Sequence, residues 1–178
     1  ATGNYVATLR ETVGLQSWTT YGTASITPAV TLDVTALGGG LINVPEGSSA
    51  QQMADLMRTE VDGTVTARTD ISLAFPDDGK VRFKLQGDNV SPFQIDADVY
   101  GGDVTELAQA INLASPSTGM SAEIDPSAGR LILTSASGAD INISVFTHST
   151  GGSMVVDKVD EFGNSFGLGT TSLGASGL

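Results

Sequence analysis

The chain has 178 residues, with eight Lys plus Arg against twenty Asp plus Glu, a formal charge of −12 and a sequence pI near 4.1. That balance argues against nucleic acid, whose phosphates it could not neutralise, and against an anionic membrane surface. The sequence has no stretch of eighteen apolar residues, the length at which a bilayer-crossing helix becomes a candidate. Cysteine is absent, which removes disulfides, thiolate chemistry and cysteine-based zinc sites. Twenty Thr, eighteen Ser and 22 Gly make up about a third of the chain and aromatics only 6%, a composition suited to a sheet-rich surface module. A start at Ala1 without a basic leader reads as a fragment of a longer chain.

In chain order, Tyr5 to Leu9, Gln16 to Tyr21 and Ala24 to Val34 have strand composition, with Pro28 as a break or an edge. After the Gly38-Gly39-Gly40 joint and a short apolar segment, Ser49-Ala50-Gln51-Gln52 predicts a capping box. The stripe Met53, Leu56, Met57, Val61 then predicts a helix. Val65, Ala67, Thr69, Ile71, Leu73 and Phe75 alternate as a half-buried strand. Asp77-Asp78-Gly79 predicts a hairpin turn into Val81, Phe83 and Leu85.

The same order recurs. Phe93 to Ile95 is apolar, and Asp103 with Glu106 predicts a second cap. The stripe Val104, Leu107, Ala108, Ile111, Ala114 predicts a helix stopped by Pro116. Met120 to Ile124, a turn through Asp125 to Gly129, and Arg130 to Thr134 form a hairpin, and Ile141, Ile143 and Val145 one further strand. Offsets of 54 (Ser49 to Asp103), 50 (Gly79 to Gly129) and 51 (Gly87 to Gly138) mark a duplication. Ser153 to Val159 is another strand. Gly163 to Leu178 reads as linker or as a frayed return segment.

The expected fold is therefore α+β: antiparallel β-sheets with short helices on one side, two repeated strand–helix–hairpin units plus flanking strands. The expected division is flanking strands over 1–40, a degenerate repeat over 41–91, a second repeat over 92–146, and a returning strand with a Gly/Ser-rich linker over 147–178, with two subdomains favoured over one.

The second copy resembles the flagellin hook IN motif of bacterial flagellin outer (variable) domains and of hook-associated and filament cap proteins. The resemblance rests on Phe93-Gln94-Ile95, Leu107-Ala108-Gln109-Ala110-Ile111-Asn112, Ser121 to Asp125, Gly129-Arg130-Leu131-Ile132-Leu133-Thr134-Ser135, and Gly138 to Ile143. The first copy departs from it, with Met57-Arg58 where Ile-Asn would stand and Gly79-Lys80-Val81-Arg82-Phe83 in place of the Gly-Arg-Leu stretch. The resemblance implies a non-catalytic, extracellular structural domain of the motility filament. Its parent would join other flagellar subunits through terminal helices missing here, with glycans or host antibodies as further partners, and the isolated fragment would be a monomer. A cap or hook-associated protein, and a non-flagellar adhesin or carbohydrate-binding module, are the alternatives. An adhesin would want an aromatic platform, but Trp18, Tyr5, Tyr21 and Tyr100 are scattered.

No residue is assigned a catalytic, cofactor-binding or metal-binding role. His148, the single histidine, lacks a Gly-x-Ser-x-Gly elbow or His-Glu-x-x-His partner and reads as a surface-loop residue. Asp96, Asp98 and Asp103 suggest calcium, but Tyr100, Gly101 and Leu107 occupy the fifth, sixth and twelfth loop positions, so only the glycine fits. Asp96 and Asp98 read instead as solvent-facing strand residues, and Asp77-Asp78 as a turn. Lys80, Arg82 and Lys84 read as a solvated face that blunts a sheet edge, with docking of an acidic subunit as the other reading. Asn89-Val90-Ser91 and Asn142-Ile143-Ser144 fit the N-glycosylation pattern, the first spoiled by Pro92. The glycines lack phosphate-loop spacing.

Overall fold

A computed structural model describes residues 5–11, 29–61, 63–159 and 165–174. Its elements are β1 (Tyr5–Glu11), β2 (Val30–Asp33), β3 (Leu41–Val44), α1 (Ala50–Glu60), β4 (Gly63–Ala74), β5 (Gly79–Gln86), β6 (Phe93–Val99), α2 (Thr105–Thr118), β7 (Met120–Asp125), β8 (Arg130–Ser135), β9 (Asn142–His148), β10 (Ser153–Val159) and β11 (Ser165–Gly174). The fold is strand-dominated α+β, with three mostly antiparallel sheets and two short helices, as the sequence predicts. The strand expected over 16–21, with Trp18 and Tyr21, lies outside the described residues, as does Pro28. Of the two readings of the Gly/Ser-rich end, the return segment is the one the backbone takes over Ser165–Gly174.

The largest sheet has the order β11-β10-β4-β8-β7, with β1 added in parallel to β4. A three-stranded sheet runs β6-β5-β9, and β2 pairs with β3. Two apolar clusters fill the interior. One gathers Ile71, Leu73, Phe83, Leu85, Leu107, Ile111, Leu131 and Leu133 between the two larger sheets and α2. The other gathers Val34, Ile42, Val44, Ala54, Met57, Val65 and Ala67 around α1. Strand β4 supplies both, its first half to the α1 cluster and its second half to the larger one.

The α1 capping box forms as predicted: Ser49 Oγ accepts from Gln52 N at 3.1 Å, and Ser49 N donates to Gln52 Oε1 at 2.8 Å. The second cap is simpler. Asp103 accepts from Thr105 N at 2.9 Å, while Val104 is the cap residue and makes no side-chain bond. Pro116 does not stop α2. It sits in the last turn, where the helix runs on to Thr118 and ends at Gly119 in the left-handed conformation.

The largest departure is at Asp77-Asp78-Gly79, which is not a hairpin turn. Strand β4 pairs with β8 and β10, whereas β5 pairs with β6 and β9. From Thr69 to Leu73, β4 is buried on both faces, so it is a central strand rather than the half-buried one its alternation suggests. Pro76 interrupts the chain, and the corner is tied outward instead. Ser153 N donates to Asp77 Oδ2 at 3.2 Å, and Gly101 N donates to Asp78 Oδ1 at 2.7 Å. Only the second copy closes its hairpin, β7 against β8.

Candidate functional site

The second repeat is organised by its Ile-Asn pair. Ile111 is fully buried in the larger core, while Asn112 projects from α2 onto the outer edge of β7. Its Nδ2 donates to Ala122 O at 2.9 Å and its Oδ1 accepts from Ala122 N at 2.8 Å. A side-chain amide carries the same donor and acceptor as a peptide group, so Asn112 occupies the edge as a neighbouring strand would. At the positions expected to correspond in residues 41–91, the helix-to-strand bond uses other chemistry. Met57 is buried, and Arg58 donates from Nε (3.0 Å) and Nη2 (2.8 Å) to Val65 O on β4. Replacing Asn112 by Ala leaves the Ala122 backbone to water and costs about 1 kcal/mol. Hydrogen exchange checks it: the Ala122 amide exchanges faster while the Leu133 amide keeps its protection.

The basic stripe on β5 meets the acidic stripe on β6 in register, Lys80 opposite Asp98 and Arg82 opposite Asp96. Lys80 Nζ lies 3.0 Å from Asp98 Oδ1, and Arg82 Nε donates to Asp96 Oδ1. Asp96 also accepts from Gln94 at 2.7 Å. The Arg82 and Gln94 hydrogen bonds hold the Asp96 carboxyl below the usual range, and the Asp98 hydrogen bond raises Lys80. The two acids are thus taken up by cross-strand pairs, not gathered for a cation. The stripe does not blunt an edge, because β5 is the central strand of its sheet. Arg58, Arg68 and Arg130 are likewise paired, with Asp55, Asp70 and Asp125.

Two residues acquire roles that local patterning does not reveal. Asp70 is buried on β4 opposite Thr134 of β8, where Arg68 Nε reaches both its oxygens at 2.7 Å and Thr134 Oγ1 donates to it at 2.6 Å. His148 is fully buried, against the surface-loop expectation. A bulge in β9 is the cause. The register shifts between Arg82 and Lys84, Val145 takes φ +53°, and Phe146 and His148 turn inward while Val145 turns out. His148 Nδ1 accepts from Gly152 N at 3.1 Å and Thr150 N at 3.3 Å, so Nε2 carries the hydrogen that faces Asp77 O at 3.2 Å. Both ring nitrogens are consumed in tying β9, β10 and the Asp77 corner together.

Val145 is a β-branched, exposed residue in the left-handed region, where its side chain crowds the backbone. Val145→Gly relieves that crowding and is expected to stabilise the chain by about 1 kcal/mol, less the entropy glycine brings to the unfolded state. A higher denaturant midpoint at unchanged slope is the expected reading.

Asp140 follows the turn at Gly138 with Oδ1 buried and unpartnered, and burial raises its carboxyl above the usual value. The folded chain then holds this proton more tightly than the unfolded chain, so stability falls as pH rises from about 4, the unfolded value, through the raised folded one. Asp140→Asn is expected to gain about 1 kcal/mol at pH 7 and nothing well below pH 4, read from denaturation at both pH values. Asp103 and Asp125, lowered chiefly by hydrogen bonds from Thr105 and Ser127 respectively, act in the opposite sense. Their contribution is present above about pH 4 and lost as pH falls through their folded values.

An open groove of about 540 Å³ lies between Pro45–Ser48 and the outer face of α1, lined by Glu46, Gln52, Asp55, Leu56 and Thr59. Gln52 is engaged in the cap, Ser48 Oγ donates to Pro45 O at 2.7 Å, and Thr59 Oγ1 donates to Leu56 O at 2.7 Å. Gln52, Ser48 and Thr59 thus bond the backbone and Asp55 pairs with Arg58, and no lining nucleophile is hydrogen-bonded to a base. Asn89 is similarly occupied, accepting from Gly87 N at 2.7 Å.

The geometry defines a packing module: a strand–helix–hairpin unit whose conspicuous polar side chains are committed to edges, corners and cross-strand pairs. The family model for the flagellin hook IN motif matches residues 82–137, from the middle of β5 through the turn after β8. This is just under a third of the chain, and it supports a flagellin outer-domain region with a flagellin-related structural role. Comparison with curated proteins finds no match. Among the described residues no helix is long and apolar enough to cross a membrane.

Proposed function

We propose that this chain is the surface-exposed outer domain of a bacterial flagellin, a non-catalytic part of the extracellular motility filament. The observation that carries the reading is the IN-motif match on a unit whose Ile-Asn pair has a visible packing role, Ile111 in the core and Asn112 on the β7 edge. Residues 41–91 and 92–146 are then two copies of one unit, supported by the matching helix-to-strand bonds of Arg58 and Asn112. Residues 1–40 and 147–178 supply the flanking strands and the returning end. Among the described residues five cations are paired with carboxylates, and the net charge of −12 would keep neighbouring protrusions soluble and mutually repelling.

In this reading the partners are other flagellar subunits, held through terminal helices of the parent chain. The loops are open to glycans and host antibodies, and the isolated piece is a monomer. Antibodies raised against the folded chain test the placement by electron microscopy of native filaments. Decoration along the whole length supports it, decoration confined to the tip or the hook junction assigns the parent to a cap or hook-associated protein, and bare filaments overturn the flagellar reading.

A further inference from the structure

The directions of the strands at the two ends of the described chain have a mechanical consequence. β1 runs parallel to β4, with Tyr5 beside Gly63 and Glu11 beside Thr69. β10 runs antiparallel to β4 further along, with Lys158 beside Ile71 and Val155 beside Ala74. β8 pairs with Thr69 to Leu73 of β4, so β1 and β10 share the opposite edge. β11 is antiparallel to β10, with Ser165 beside Val159 and Gly174 beside Ser153. Two antiparallel steps leave β11 parallel to β4, and hence to β1.

The start of β1 therefore lies at the start of β4, and the end of β11 lies beyond the end of β4. At about 3.3 Å per residue the two points are about 40 Å apart along the strands. Tension entering before Tyr5 and leaving after Gly174 pulls along the strands in opposite senses. It loads the backbone hydrogen bonds of β1–β4, β4–β10 and β10–β11 side-on and together, rather than peeling them one pair at a time. The anchor is firm, because β4 is buried on both faces from Thr69 to Leu73 and is backed by β8.

We infer that the path β1–β4–β10–β11 is a mechanical clamp, through which the domain resists unfolding when stretched between β1 and β11. The inference stands on strand direction alone and not on the filament reading. The register shift between Val156 and Lys158 makes β10–β11 the link that yields first.

The test is single-molecule stretching of the full chain, which has no native cysteine to interfere with engineered handles. One variant carries Asn4→Cys and Ala175→Cys, pulling along the clamp. A second carries Asn4→Cys and Glu60→Cys, which pulls Tyr5 away from its neighbour Gly63 and peels β1 from its end. Thermal midpoints equal to that of the parent confine any difference to pulling geometry. The expected result at matched loading rate is an unfolding-force distribution shifted clearly upward for the first pair, with low-force stepwise opening for the second. Equal distributions, or a weaker first pair, overturn the clamp whether or not the chain comes from a filament.

Discussion

Gly138→Ala is expected to destabilise the chain by at least about 3 kcal/mol, lowering the thermal midpoint by about 10 °C for a domain of this size. Gly138 sits at φ +80° in the turn after β8, a conformation that an L side chain resists. Its carbonyl accepts from Gln51 N at 2.9 Å, so it satisfies one of the orphan donors in the first turn of α1. A Cβ there would overlap the Ala67 side chain and stand 2.9 Å from Gln51 N and 3.1 Å from the Ala67 carbonyl carbon. These neighbours are backbone or a methyl fixed to it, so relief requires α1 or β4 to move. This is the seam where the α1 cluster meets the turn from β8, and the substitution separates them. Denaturant unfolding followed by circular dichroism checks it, with a lower midpoint or a second transition as the expected outcome.

His148→Ala is expected to cost about 3 to 5 kcal/mol. Removing a fully buried ring leaves a cavity, and the Gly152 and Thr150 N–H groups and the Asp77 carbonyl lose their partner. His148→Phe separates the two contributions. It refills the volume beside Phe146, whose ring centroid lies 6.4 Å from the imidazole, but accepts no hydrogen bond. An intermediate loss of about 2 kcal/mol for His148→Phe assigns the remainder to the cavity. A His148→Phe variant as stable as the parent would show that the hydrogen bonds at this corner contribute nothing.

Local chemistry was the readable part of this sequence. The Ser49–Gln52 box, the apolar stripe of α2 and the β7–β8 turn depend on residues a few positions apart, and each forms where its pattern stands. Pairing between distant strands was not readable. β4 and β5 each carry an alternating pattern that fits a hairpin, but alternation fixes which face is buried and not which strand lies alongside. The partners were chosen by the larger core, which needed β4 as a central strand and β5 between β6 and β9. His148 was missed for a related reason. Strict alternation from Ile141 and Ile143 points inward at Val145, and one extra residue in the bulge moves the inward face to Phe146 and His148. Nothing in Thr147-His148-Ser149-Thr150 announces that shift, since a bulge is made by the opposing strand as much as by its own residues. Lys80 and Arg82 were legible as a stripe but not as pairs, because their acids lie on the neighbouring strand.

These features agree on one physical picture. Side chains that elsewhere serve chemistry hold strands to strands here: His148 a corner, Asp70 two neighbouring strands, Asp96 and Asp98 a cross-strand ladder, and Asn112 an edge. A domain built this way spends its polar side chains on joining its strands, as the proposed structural role requires.

Quantitative peptide mass spectrometry on filaments sheared from the source cells tests the central claim most directly. The tryptic peptide Leu131 to Lys158 spans β8, β9 and most of β10 and reports the chain by itself. The account predicts that it ranks among the most abundant filament peptides, as a repeating subunit requires. Its absence from filaments of cells that express the protein would contradict the account.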